Sequence, residues 1–407
     1  MPKLAVIGAG ITGVTTAYQL INRGYDVTLF ERQRYAAMET SYANGGQLSA
    51  SNAEVWNHWS SILKGIRWMV QPGAPLLLNP APSLHKYAWM TEFLLAMREY
   101  RGNTVSTVRL ALEARAELLR IAQAEGLDFS LEQRGILHIY RQKKSYEHAL
   151  KVNALLAEGG LEREAISADR VREIEPTVKG QLHGGFFTQS DMTGDIHEFT
   201  AQLASVCEAK GMGAEYNCTI TGLKHLRDGQ GVEVRTAQSG VARFDGVVVC
   251  SGVSSRALAA QLGDRLNVYP VKGYSITVNL RDARDRAAAP WVSLLDDETK
   301  IVASRLGEDR FRVAGTAEIN GYSRDIRQAR IDPLLDWCQE LFPAMSTRSF
   351  VPWAGLRPMM PNMMPVVREG SAPGVFYNTG HGHLGWTLSA ATSSLVADLV
   401  GSKLAVQ

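Results

Sequence analysis

The sequence is poor in cysteine, has no excess of either charge, and contains no apolar run long enough to cross a membrane. Its four cysteines, Cys207, Cys218, Cys250 and Cys338, lie far apart, with no CxxC pair and no histidine at ligand spacing. That pattern disfavours a disulfide framework and a zinc site, and it fits a reducing compartment. No stretch reaches the roughly 18 apolar residues of a spanning helix, and the glycine spacing of the apolar start LAVIGAGITGV argues against a signal segment. A cytoplasmic protein without a transmembrane segment is expected. Lysine plus arginine, 43 residues, nearly cancels aspartate plus glutamate, 41, in a chain of 407. The balance removes the electrostatic argument for nucleic acid and leaves a small molecule as the default partner.

Glycine is abundant, at 37 residues, and its spacing is informative. The apolar residues 4–7 lead into Gly8, Gly10 and Gly13, a GxGxxG pattern. Ile11, Val14, Tyr18 and Ile21 then recur at helical spacing, Gly24 ends the helix, and DVTLFE resumes as a strand closing on Glu31. In such a strand–helix–strand unit Gly8 permits the tight turn, Gly10 lets backbone approach a pyrophosphate, and Gly13 lets helix and sheet pack closely. The helix N-terminus, with Ile11 and Thr12, offers N–H groups and a positive dipole end to phosphate. Glu31 can accept hydrogen bonds from ribose hydroxyls and would repel a 2′-phosphate, an exclusion that Arg32 weakens slightly. The motif predicts a dinucleotide and does not say whether it is NAD(P) or FAD.

Downstream, a tryptophan-rich stretch (Trp56, Trp59, Trp68, Trp89), a proline-rich connection over 72–82 and a long helix over about 104–125 suggest an insertion with its own core. Val105, Val108, Leu112, Leu119 and Ala122 give that helix an apolar face. A second amphipathic helix over 196–210 precedes CTITGL, a turn at RDGQG, VEVRT and the buried strand DGVVVCSG, which can complete the nucleotide-binding sheet. VYPVKGYSITVNL and FRVAGTAEI read as antiparallel strands, with DPLLDWCQELF as a helix across them. IRWMVQPGAPLLL (66–78) reads as a buried connection in preference to a membrane-touching patch, and RQKK (141–144) as a solvated turn.

With ETSYANGGQLS (39–49), YPVKGYSITV, TAEINGY, WAGLRPMMPNMMPVV and YNTGHGHLGWTLSAATSSLVADLV in order, the chain resembles the D-amino-acid dehydrogenase small-subunit family, within the D-amino-acid oxidase and glycine oxidase superfamily. The likeness runs from about residue 4 to about residue 401. It implies an α/β protein with a Rossmann-like FAD-binding domain (1–49, 196–255 and 350–407) and a mostly antiparallel α+β substrate domain (50–195 and 256–349). It implies FAD as cofactor and oxidative deamination of a small amino acid, foremost a D-amino acid, in amino-acid catabolism. The alternatives are an oxygen-using oxidase of glycine, sarcosine or an imino acid such as D-proline or hydroxyproline, and a non-catalytic FAD-binding subunit. The electron acceptor would be a quinone, another redox protein or oxygen, with peripheral contact at the inner face of the cell membrane as one arrangement.

The resemblance also assigns residues. Ser41, Asn44, Gly45, Gly46, Gln47 and Leu48 match the segment between ribose and flavin, Ser251 and Gly252 the pyrophosphate segment, and Thr221 the adenine side, with its backbone doing the recognition. Gly380, His381, Gly382, His383, Leu384, Gly385, Trp386 and Thr387 match the loop beside the flavin ring, with the helix after it pointing its N-terminus at the pyrimidine edge. Glycine keeps such a loop bare, and the carbonyl of His383 would face the substrate amine. Read without the resemblance, His381 and His383 form a metal pair lacking a third ligand or an acid–base pair lacking an orienting carboxylate; both stay open in three dimensions, and the bare-backbone reading is preferred. Arg357, in GLRP, is expected to clamp the substrate carboxylate. Tyr274 is expected on a strand over the ring, its hydroxyl touching substrate or packing at a core edge, and Lys272 either reaches the flavin or is solvated.

Overall fold

The first apolar run becomes a central strand because both its faces are covered: Leu4, Ala5 and Val6 have no solvent exposure. In the computed structural model, which describes residues 1–59, 63, 65, 75–226, 231–238 and 240–405, it belongs to a six-stranded sheet. The order is Val366–Glu369, Val375–Thr379, Gly246–Val249, Lys3–Ile7, Asp26–Phe30 and Gly213–Glu215, parallel except for the first pair. Helices Ile11–Ile21, Ile196–Ala209 and Gly385–Lys403 cover one face through Val14, Leu203 and Val396.

The other face carries a finding that differs from expectation. Ile220–His225 and Val232–Thr236 do not extend the parallel sheet; with Val241–Phe244 they form a separate three-stranded antiparallel sheet packed against it. The burial pattern gives the reason. In Val232–Thr236 every second residue is buried, as in a strand covered on one side, whereas Gly246–Val249 is buried throughout and can sit between two layers.

The second large sheet has nine strands and is mostly antiparallel, with Phe350–Met359, Tyr269–Asn279, Arg310–Ile319, Ile301–Leu306, Ser293–Asp296, Ile136–Tyr140, Gly184–Thr188 and Glu164–Ser167 in order and Leu76–Leu78 beside Arg310–Ile319. Helix Gln328–Leu341 crosses it, burying Ile331, Leu334 and Leu341 against Ile276, Val278 and Val313.

Two boundaries are corrected. Phe350–Met359, assigned with the nucleotide-binding part, pairs along Tyr269–Asn279 from Met359 opposite Tyr269 to Phe350 opposite Val278, and so belongs to the large sheet. The helix Tyr100–Glu125 does not start a separate core: Leu118, Ile121 and Ala122 share one core with Leu4 and Val6. Its buried stripe mixes Val108, Leu118 and Ile121 with the smaller Thr104, Thr107, Ala111, Ala114 and Ala122, which let another helix come close, while Val105, Leu112 and Leu119 are only half-buried. RQKK is also more than a solvated turn, since Arg141 pairs with buried Asp296 at 3.0 Å and Lys143 opens a helix. Most of the 66–78 stretch, Trp68, part of the 72–82 connection and most of the RDGQG turn lie outside the described residues.

All four cysteines are unpaired and buried. Among the described residues no helix is long and apolar enough to cross a membrane. Helix Leu84–Leu95 has an unusual surface: it buries Trp89 while Leu84, Tyr87, Leu94 and Leu95 face outward.

Candidate active site

A cavity of about 830 Å³ runs from the glycine turn to the strand ends of the large sheet, near the upper end of the roughly 300–1,000 Å³ usual for small-molecule sites. At the glycine turn, Gly8 has φ +102°, and a Cβ on Gly13 would fall 1.7 Å from the Gly8 carbonyl oxygen. Only bare backbone fits there. Gly10 caps the helix without a side-chain cap and faces the cavity, where Ile11 and Thr12 also lie. Glu31 accepts the Ala9 N–H at 2.8 Å and the Gln33 N–H at 2.9 Å, so the carboxylate also braces the turn it flanks. Arg32 borders the cavity with its charge paired to Glu39 at 2.8 Å.

Ser41 accepts the Ile11 N–H at 3.0 Å, and Asn44 accepts the Gly46 N–H at 2.9 Å. Gly45 lies against Val302, whose Cγ2 would stand 2.6 Å from an added Cβ. Gln47 donates to the Leu294 carbonyl at 2.9 Å and leaves Oε1 buried without a partner. Ser251 and Gly252 border the cavity. Two assigned residues do not: Leu48 is buried in the core, and Thr221 is exposed, its hydroxyl donating to the Arg235 carbonyl. Cys218, Thr219 and Ile220 line that end instead, one turn of the zigzag earlier.

The C-terminal loop leaves Val375–Thr379 through Gly380 (φ +76°) and Gly382 (φ +60°), conformations that favour glycine. Gly382 N–H donates to the Pro358 carbonyl at 2.9 Å and Met359 bridges to His381, so the bare loop is fastened directly to the strand carrying Arg357. All of Gly380 to Thr387 borders the cavity, and the helix starting at Gly385 has no side-chain cap. His381 is buried with Nε2 2.9 Å from Thr392 Oγ1, and burial pushes its pKa down to about 3. His383 stacks on Trp56 with ring centres 4.6 Å apart. Burial, then the Arg357 charge, lowers its pKa to about 4. Both rings are neutral at pH 7 and neither is paired to a carboxylate. Among the described residues no group of three or more His, Cys, Asp or Glu could hold a metal.

Arg357 donates through Nη1 to the Thr316 carbonyl at 3.0 Å and, among the described residues, has no carboxylate within ion-pair distance. Its guanidinium lies across Gly273, where a Cβ would sit 2.3 Å from Nη2. Burial lowers its pKa to about 10, so it stays charged. A desolvated cation without a counter-ion is costly unless a ligand supplies the anion.

Lys272 is corrected, and Tyr274 takes the second of its two expected places, at the core edge. The Tyr274 ring borders the cavity, but its hydroxyl donates to Glu318 at 2.5 Å; Lys272 is fully buried, 3.3 Å from the same carboxylate, and does not reach the cavity. Alternation along the strand turns Lys272 and Tyr274 to one side, where Glu318 gathers both.

Sequence reasoning missed the segment after residue 48. Asp191 accepts the Ala50 and Ser51 N–H groups at 3.0 and 3.1 Å, while the Ser51 hydroxyl meets His138 Nε2 at 2.8 Å. Glu54, Trp56, the turn 297–300 and Thr316 also line the cavity unannounced. The one available signal was the adjacency of SNAEVW to the assigned 39–49 block.

A glycine cradle that a Cβ would fill, a carboxylate at the ribose position, an uncapped helix at each end of the path and a bare loop between them suit an extended flavin dinucleotide. A family model described as FAD dependent oxidoreductase matches residues 3–399. The chain belongs to that family. It is 57% identical to a protein of Mesorhizobium japonicum named D-amino acid dehydrogenase 3, over 100% of this chain and 98% of the relative. It is 40% identical to a D-amino acid dehydrogenase of Paramagnetospirillum magneticum, over 98% and 95%. Glycine oxidase from Bacillus cereus has the same fold, with a TM-score of 0.77 at 21% identity, covering 99% of this chain and 96% of that one. The protein is thus an FAD-dependent oxidoreductase.

Proposed function

We propose that this enzyme oxidatively deaminates a small amino acid, foremost a D-amino acid, with Arg357 fixing the substrate carboxylate. The observation that carries the reading is the counter-ion-free guanidinium fastened, through the Gly382–Pro358 hydrogen bond, beside the bare loop. The names of the relatives, D-amino acid dehydrogenase, support the same substrate class.

FAD, when bound, supplies the two-electron acceptor for the α-hydrogen, which leaves as hydride. Arg357 orients the acid so that its α-carbon faces that acceptor, and the His383 carbonyl receives a hydrogen bond from the neutral amine. No side chain is asked to remove a proton from carbon, in keeping with two neutral histidines that have no carboxylate partner. The uncapped N-terminus at Gly385 favours negative charge arriving near it. The resulting substrate imine adds water and releases ammonia, giving the 2-oxo acid.

We place electron disposal on a quinone or a redox protein in preference to oxygen. Met90, Phe93 and Leu94 border the cavity from the helix whose outer face is apolar, a route suited to a lipid-soluble acceptor at a membrane surface. Peroxide formation equal to turnover in air would contradict that placement.

Arg357→Ala decides the main reading. Half-maximal anaerobic reduction of the bound flavin is expected to need about a hundredfold more D-alanine, since the lost partner belonged to a desolvated charge pair. Unchanged half-saturation removes Arg357 from the site.

A further inference from the structure

Beyond the clamp the cavity continues toward the strand ends of the large sheet. Thr316, whose carbonyl holds Arg357, adopts φ +57° and leaves Oγ1 buried without a partner. Its neighbour Gly315 abuts the turn 297–300, where an added Cβ would lie 3.3 Å from the Lys300 carbonyl oxygen. On the opposite side, segment 52–56 wraps His383: the Asn52 carbonyl lies 3.4 Å from the His383 Nε2, and Trp56 stacks on the ring. Glu54 lies between those two contacts and borders the cavity.

Among the described residues, the carboxylates lining this cavity are Glu31, Glu39, Glu54 and Asp297. Glu31 braces the glycine turn, Glu39 pairs with Arg32 and Arg324, and Asp297 pairs with Lys300. Among the described residues Glu54 has no cation within ion-pair distance, and its one hydrogen bond comes from the Tyr100 hydroxyl at 2.7 Å. Beside the clamp, Lys300 pairs directly with Asp297 and Arg163 lines the same cavity, which leaves Glu54 as the carboxylate there with no direct ion pair among the described residues. Arg163, which also lines the cavity, has no carboxylate within ion-pair distance among the described residues and stands over the Phe186 ring at 4.5 Å.

We propose that this lobe is the side-chain subsite and that Glu54 selects amino acids with a cationic end group, such as D-lysine or D-arginine. The inference rests on the reading of Arg357 as the carboxylate clamp. Arg357 takes the α-carboxylate, the Trp56 face covers the alkyl stem, and the Glu54 carboxylate accepts from the terminal ammonium or guanidinium. Thr316 Oγ1 gives the inner end of the lobe a further polar contact.

The test is anaerobic flavin reduction of the holoenzyme by D-lysine and by D-norleucine, which has the same length without the ammonium. D-Lysine is expected to half-saturate at a concentration about tenfold or more below D-norleucine, and Glu54→Gln to bring the two within about twofold. No D-lysine preference in the wild-type enzyme overturns the proposal, whatever the variant does. An unchanged ratio in a flavin-loaded Glu54→Gln enzyme also overturns it, as does D-glutamate outperforming D-lysine, which would hand selection to Arg163. Reduction by D-alanine and D-norleucine with no preference for D-lysine leaves the clamp standing and removes only Glu54; reduction by no amino acid removes both.

Discussion

Gly13 and Gly273 are both kept bare by close neighbours, yet a methyl group at each is expected to damage different functions. At Gly13 the neighbour is the Gly8 carbonyl, 1.7 Å from the added carbon, and backbone cannot swing away. Gly13→Ala should lower stability by about 3 kcal/mol and reduce the flavin-to-protein ratio on purification, both measurable on one sample. At Gly273 the neighbour is the Arg357 guanidinium, the far end of a flexible side chain. Gly273→Ala should keep bound FAD with an unchanged spectrum while raising half-saturating amino acid about tenfold, through a displaced clamp. Gly13 was legible in the sequence because its role is local, set by spacing from Gly8 and Gly10. Gly273 was not, because its partner is 84 positions away in sequence and meets it only across two paired strands.

At the level of elements, Tyr269–Asn279 and Arg310–Ile319 are pinned by one buried carboxylate: Glu318 accepts from Tyr274 and lies within ion-pair distance of Lys272 and Arg327. Tyr274→Phe is therefore expected to cost about 1–2 kcal/mol in denaturant unfolding, with little change in half-saturating substrate. A large kinetic effect without a stability effect would restore the hydroxyl to substrate. Both strands were readable from their apolar alternation, and so were the helices with one strongly apolar side. Helix Tyr100–Glu125 was harder. Its contact stripe mixes Val108, Leu118 and Ile121 with Ala111, Ala114 and two threonines, whose hydrophobicity is too slight to stand out beside Leu112 and Leu119. Thr221 was expected to meet the adenine through its backbone, and Cys218, Thr219 and Ile220 line that end instead, an offset along the chain that motif spacing does not fix.

For the whole molecule, the two loop histidines make stability depend on acidity. Each ring titrates near 6.5 in an unfolded chain, whereas burial holds His381 at about 3 and His383 at about 4. Between those values the unfolded chain binds protons that the folded one refuses, so stability present above pH 6.5 falls as pH drops toward 4 and then 3. The slope is at most about 1.4 kcal/mol per pH unit for each ring. Urea midpoints should thus be lower at pH 5 than at pH 7; equal midpoints would mean that water reaches both rings. The burial of the four cysteines has a practical consequence of its own. Low dielectric surroundings raise all four thiols, Cys207 and Cys250 to about 12, leaving almost none of the reactive thiolate at neutral pH. The native enzyme should thus be nearly silent toward maleimides, and a cysteine placed on the outer face of Leu84–Leu95 would accept a fluorophore or spin probe alone, with no background sulfur to remove first.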